Sequence, residues 1–158
     1  MKKFITIILL LFTFITNSQT TQKSSREEVI TAPMLTCSNE ERTKWFAISP
    51  TFNKFDGIIV KFYLSVIKLN IGQCSKQDAL VFTFEGGRKI KIMANNDLNC
   101  DGIIQVNFVM NSIDMALLET KPLETIRYIN GNDFVSFVYL LKGDDKYYFL
   151  NTFSNYKK

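Results

Sequence analysis

The sequence predicts an α+β fold that is mostly β: an antiparallel sandwich or a curved sheet of about seven or eight strands with one short helix. Two features lead there. Several segments alternate apolar and polar residues with period two, the signature of strands with one face on a core. The period changes to a helical one clearly in only one place, residues 112–119, so no strand–helix alternation builds a parallel sheet. The chain has 158 residues, 46% of them apolar, including 14 Phe, which suits one packed core and excludes wholesale disorder.

The elements follow in order. Residues 44–49 alternate weakly, with Phe46 and Ile48 on one face, and 50–57 read as a loop containing Pro50. In 58–69, Ile58, Val60, Phe62, Leu64 and Val66 make one apolar face against Lys61, Tyr63 and Ser65 on the other. Leu80, Phe82 and Phe84 alternate next. Glu85-Gly86-Gly87 is a hairpin signal, and the return strand carries Ile90 and Ile92 inward and Lys89 and Lys91 outward. After a turn over 95–102, Ile104, Val106, Phe108 and Met110 form a further strand. Residues 112–119 (SIDMALLE) predict a helix of about two turns, with Ser112 as N-cap, Asp114 in the first turn, and Ile113, Leu117 and Met115 facing inward. Pro122 ends it. Strands are expected over 125–129 and 134–141. A turn with Gly143 follows, and the aromatic-rich 147–153 fits either a strand or a helix.

The amino terminus has the chemistry of an export signal. Lys2 and Lys3 precede an apolar run from Phe4 to Ile15, and Thr16 and Ser18 are small residues placed for a cut after Ser18. That run is about twelve residues long, short of the roughly twenty that span a bilayer as a helix. Cys37 lies too far from the run to be a lipidation site. The expected organisation is therefore a signal peptide at 1–18, a flexible polar segment at 19–41 and one β-rich domain at 42–158. The mature chain is expected in the periplasm or secreted, with no transmembrane span. Cleavage removes two lysines and no acids, so 17 basic residues face 15 acidic ones and the net charge falls from +4 to +2. No nucleic-acid partner is expected from that balance.

Three cysteines remain, an odd number, so at most one bridge forms within the chain. Cys74 and Cys100 sit in polar, turn-like stretches, and their bridge would contribute roughly 3 kcal/mol in the chain-entropy model. Cys37 is an alternative partner for either. Histidine is absent, which excludes Cys–His and Ser–His nucleophilic pairs.

The sharpest local pattern is Asp97-Leu98-Asn99-Cys100-Asp101-Gly102, which matches the first half of a calcium loop. Asp97, Asn99 and Asp101 would supply alternate oxygen ligands. Phe108 stands at the twelfth position, where a bidentate Glu belongs, so this is no EF-hand. The choices are a calcium turn closed by a carboxylate from elsewhere and a polar inter-strand turn pinned by Cys100. No cofactor other than calcium is expected. Lys89 and Lys91, with Arg88 beside them, present cations to an anionic group or simply guard an edge strand. Tyr147, Tyr148 and Phe149, with Trp45, would form an aromatic platform for a sugar or peptide unless they serve packing. Asp144 and Asp145 fall in a glycine turn and are expected to face water. Ser65-Val66-Ile67-Lys68 matches S-x-x-K in letters only, since it lies in a strand and lacks companion motifs.

Three stretches, FTFEGGRKIKI at 82–92, NDLNCDG at 96–102 and NFVMNSIDMALLETKPLETIR at 107–127, resemble a class of small exported bacterial proteins of unknown function. The resemblance lies in the N-C-D-G loop, Asn99 to Gly102, and the P-[LI]-x-x-I-R segment, Pro122 to Arg127. Gly86-Gly87 stands where that class has D-G. The resemblance implies export and a single β-rich domain, and brings no activity or cofactor with it. The functional expectation is an exported binding or interaction module of the cell envelope, with an unidentified envelope protein or ligand as partner. A calcium-stabilised structural module is second, and a hydrolase working without His is third.

Overall fold

The computed structural model describes residues 26–39, 43–69, 71, 75, 77–95, 98–99, 104–132 and 134–157. Two antiparallel sheets enclose the core. The first has six strands: β1 (Glu27–Thr31), β2 (Leu35–Ser38), β3 (Trp45–Phe55), β4 (Ile58–Leu69), β7 (Leu98–Asn99) and β8 (Ile104–Val109). Its order is β1-β3-β4-β8-β7, with β2 also paired to β3. The second has four strands, β5 (Ala79–Phe84), β6 (Lys89–Met93), β9 (Leu123–Ile129) and β10 (Ser136–Leu140), in the order β10-β9-β5-β6. Helix α1 (Ser112–Thr120) joins β8 to β9. A 3-10 turn (Gly143–Tyr147) leads into helix α2 (Tyr148–Tyr156). The mostly β, α+β class expected from the sequence is the class observed.

The inward residues follow the alternation. Phe46, Ile48, Phe52, Phe62, Leu64, Val66, Val106 and Phe108 of the first sheet face Leu80, Phe82, Ile90, Ile92, Ile126 and Tyr128 of the second. Aromatic rings bridge the sheets: Phe46 and Phe108 meet Tyr128 at centroid distances of 5.8 and 6.2 Å. Helix α2 wedges between the sheets. Its Phe153 packs on Phe52 and Phe62 of the first sheet, and its Phe149 meets Phe82 of the second edge-on at 5.6 Å. The ambiguous aromatic segment is thus a helix, because Phe149 and Phe153, four residues apart, reach both sheets from one helical face.

Several expectations need correction. Residues 27–31 and 35–38, read as part of a polar tether, are strands that both line one edge of β3. Residues 50–55 continue β3 rather than looping. Pro50 fits because its missing N–H falls where the neighbouring chain is interrupted between β1 and β2. There the Ser49 hydroxyl donates to the Ala32 carbonyl at 3.1 Å, and Ala32 N–H donates to the Pro50 carbonyl at 2.8 Å. The turn is Asp56-Gly57, with φ of 50° and 80°, the positive values a two-residue hairpin turn requires. Ile58 and Val60 are exposed, because a bulge shifts the β3–β4 register between Asn53 and Lys54. Asn111, not Ser112, caps α1: its side-chain oxygen accepts from the Asp114 N–H at 2.8 Å. Leu117 and Leu118 of α1 are buried, whereas Ile113 is exposed.

The inward row of β4 does not end at Val66. Lys68 follows it into the core, with its Nζ 2.8 Å from Asp78 Oδ2 and both side chains fully buried. The Tyr128 hydroxyl donates to the same carboxylate oxygen. Gly131 N–H donates to Asp78 Oδ1 at 2.9 Å, and the Lys68 ammonium lies 4.9 Å from the Tyr128 ring centroid. Gly131 has no room for a side chain, since a Cβ there would lie 2.2 Å from Gln77 Cβ.

Asp78→Ala strands a buried ammonium and should cost about 3–5 kcal/mol in urea unfolding. Adding Lys68→Met should restore part of that loss, since the stranded charge goes too. Additive losses in the double variant would show that the two side chains do not act as a pair.

Candidate functional site

The outer face of the first sheet is built from the odd-numbered residues of its central strands. Ala47 lies at its middle, paired with Thr36 on one side and Ile67 on the other. Trp45 is the next outward residue on β3, beside Ser38 and Leu69. A small residue ringed by larger ones leaves a dent. The result is a cleft of about 560 Å³ lined by Met34, Thr36, Ser38, Trp45, Ala47 and Ile67. Its wall is part apolar and part hydroxyl, and among the described residues no charged side chain lines it.

Beyond the cleft, the same face carries uncharged hydrogen-bonding groups in register. The Thr31 and Thr51 hydroxyls lie 3.3 Å apart, and Gln105 Nε2 donates to Ser65 Oγ at 2.5 Å. The side-chain oxygens of Asn53 and Asn107 are buried on this face and accept no hydrogen bond from the described residues. Tyr63 and Lys61 complete it, with the Lys61 ammonium 5.7 Å from the Tyr63 ring centroid.

The residues singled out from the sequence scatter. Asp97, Asp101, Cys74 and Cys100 lie outside the described residues. Asn99 lies in β7, where it pairs with Gln105. Among the described residues no group of three or more His, Cys, Asp or Glu side chains is close enough to hold a metal ion. Cys37 is a buried free thiol, facing the core from β2. Burial, reinforced by the Asp145 carboxylate, pushes it well above the usual thiol range, so it is no nucleophile.

The aromatic platform does not form. Phe149 is in the core, the Tyr148 hydroxyl donates to the Pro33 carbonyl, and Tyr147 is exposed. Trp45 stands apart in the cleft. Asp145 does not simply face water, for it accepts from the Tyr139 hydroxyl at 3.0 Å. Ser65 and Lys68 lie on opposite faces of β4, so the S-x-x-K letters bring no pair together. Lys89 and Lys91 project outward from β6 as expected.

What the sequence reading missed is the cleft itself. Its signal was Ala47, a small residue between Trp45 and the outward hydroxyls, which becomes legible only once three strands are in register. In comparisons with known proteins, no family model matches the chain, and neither a curated protein nor a solved structure matches it.

Three phenols are held protonated. Burial first, then the Asp78 hydrogen bond, raises Tyr128. Burial raises Tyr148, and burial with the Asp145 contact pushes Tyr139 up to about 12. Unfolded tyrosines ionise near about pH 10. Between there and about pH 12 the folded chain holds more protons than the unfolded one, so stability falls as pH rises. Urea midpoints should drop between about pH 9 and about pH 11.5, and less so in Tyr139→Phe. An unchanged midpoint would show that these phenols ionise freely in the folded chain.

Proposed function

We propose that the protein is an exported binding module of the cell envelope that takes a neutral, hydroxyl-rich ligand in the Trp45 cleft. The observation that carries the reading is the cleft's composition. An indole and two aliphatic side chains offer a surface for the apolar face of a sugar ring. Thr36 and Ser38 beside them offer hydroxyls, and among the described residues no charged side chain lines the cleft. Export is supported by Lys2-Lys3, the apolar run to Ile15 and the small residues at Thr16 and Ser18. The resemblance to small exported bacterial proteins points the same way. Among the described residues no helix is long and apolar enough to cross a membrane.

Trp45 is the chain's one tryptophan, so its fluorescence reports on the cleft directly. Titration with soluble peptidoglycan fragments and chito-oligosaccharides should give a saturable change in emission. Thr36→Ala/Ser38→Ala should weaken the response about tenfold, as expected for two lost hydrogen bonds. A flat response to every oligosaccharide would overturn the cleft as a glycan site.

A second reading, a calcium-stabilised structural module, rests on Asp97, Asn99 and Asp101. Asn99 pairs with Gln105 of β8, and Asp101 falls in the sequence between these two strands. If it holds calcium, the melting temperature should rise by several degrees with calcium over EDTA, and Asp101→Ala should abolish the rise. Equal melting in calcium and EDTA would sink this second reading.

A further inference from the structure

The outer face of the second sheet has a different chemistry. Register places its residues in rows across β10, β9, β5 and β6. One row is Val138–Arg127–Val81–Lys91, and the next is Leu140–Thr125–Thr83–Lys89. A third ends in Met93. Arg127, Lys89 and Lys91 are exposed, and among the described residues none has a carboxylate partner. No acidic residue belongs to these rows. Val138, Leu140 and Met93 are exposed between and beside the cations, with Leu140 at 58%.

The loop entering β10 adds a second, independent observation. Phe134 has φ of 57°, a left-handed conformation that a bulky L residue adopts only under constraint, and it is 78% exposed. The loop around it is pinned: Asn130 N–H donates to the Val135 carbonyl at 2.8 Å, and Asn132 N–H to Asn130 Oδ1 at 3.0 Å. The fold therefore accepts backbone strain at a position whose aromatic ring contributes little to the core. Val135 beside it is exposed as well.

We infer that this face docks on an anionic lipid bilayer. The charge is complementary to phospholipid phosphates, and the apolar side chains share the same rows. A bilayer surface offers both chemistries, phosphates above hydrocarbon, and binding there scales with apolar area plus electrostatic attraction. Phe134 and Val135, at the rim of the face, enter the interfacial layer, where aromatic rings are well accommodated. An acidic protein would meet the cations but leave Phe134 and Leu140 to find separate pockets. The inference concerns the sheet opposite the Trp45 cleft and does not depend on what the cleft holds.

The test is co-sedimentation of the chain, as isolated from the exporting cell, with phosphatidylglycerol–phosphatidylcholine vesicles and with phosphatidylcholine alone. All variants carry the same amino terminus. Binding should require phosphatidylglycerol and weaken with salt. Lys89→Gln/Lys91→Gln/Arg127→Gln should lower the partition coefficient by about a hundredfold, roughly fivefold per cation. Phe134→Asn places at the left-handed position a residue that tolerates it. It should leave the melting temperature equal or higher yet weaken vesicle binding by about tenfold. Trp45→Ala should bind vesicles like the wild type. Equal binding to both vesicle types, no binding, or undiminished binding by the triple variant would overturn the inference. Binding to soluble polyglutamate in place of vesicles would overturn it too, and would reassign the face to an acidic protein.

Discussion

The Asp78 carboxylate holds the two sheets in one arrangement. It accepts from Lys68 on β4, from the Tyr128 hydroxyl on β9 and from Gly131 N–H in the turn after β9. Its own carbonyl takes the Ala94 N–H at the end of β6, 2.8 Å away. A buried ion pair of this kind is a weak source of net stability, because desolvation offsets most of the attraction. Its value is in what it forbids. A one-residue slip of β5 would carry Asp78 to the outer face and leave the Lys68 ammonium in an aromatic core. Gly131, pressed against Gln77, lets the turn come close enough to supply the third hydrogen bond. The apolar core gives the sheets a reason to associate, and this cluster selects the register in which they do.

The strand faces were legible in the sequence because period-two alternation is a local property. Phe62, Leu64, Val66, Leu80, Phe82, Ile90, Ile92, Val106 and Phe108 are all buried where the alternation puts them. The failures come from long-range facts. Ile58 and Val60 continue the same period, but the bulge opposite Asn53 and Lys54 turns them to water. Pro50 looked like a breaker because its missing N–H is costly inside a sheet, unless the adjacent strand is interrupted at that row, as it is here. Glu27 to Thr31 is polar because it is an edge strand with little to bury, and an edge strand and a tether share a composition. Lys68 was a signal that could have been read. It stands on the inward register directly after Val66, and an inward lysine requires a buried carboxylate.

The candidate site was less legible for a related reason. The calcium-like pattern is contiguous, so it stands out in sequence whether or not it holds an ion. The Trp45 cleft is assembled from β2, β3 and β4, and no stretch of sequence contains it. Its depth comes from Ala47 having only a methyl group to fill the space between Thr36 and Ile67. The aromatic platform predicted from adjacency, Tyr147-Tyr148-Phe149, is not a surface: Tyr148 and Phe149 meet edge-on at 4.9 Å, but Phe149 is in the core while Tyr147 is exposed.

Alternation also explains how one small domain carries two outer surfaces of different character. In each sheet every second residue of a strand is committed to the core, and those between are free to vary in chemistry. On β3, β4 and β8 of the first sheet they are small, hydroxyl, amide, aliphatic and aromatic residues, with Lys61 the one cation among the described residues of these strands; Glu27 of β1 lies at the far end of the same face. On the second they are three cations interleaved with Val, Leu and Met. Sheets packed face to face turn these surfaces in opposite directions. A chain that rests on a membrane by its second sheet would therefore leave the Trp45 cleft open to the aqueous side, and the two proposed contacts would not compete. Exchanging the chemistries would fail on electrostatic grounds. A neutral hydroxyl-lined face has little attraction for anionic lipid, and a cationic face lacks the acceptors and the aromatic floor that a neutral sugar requires.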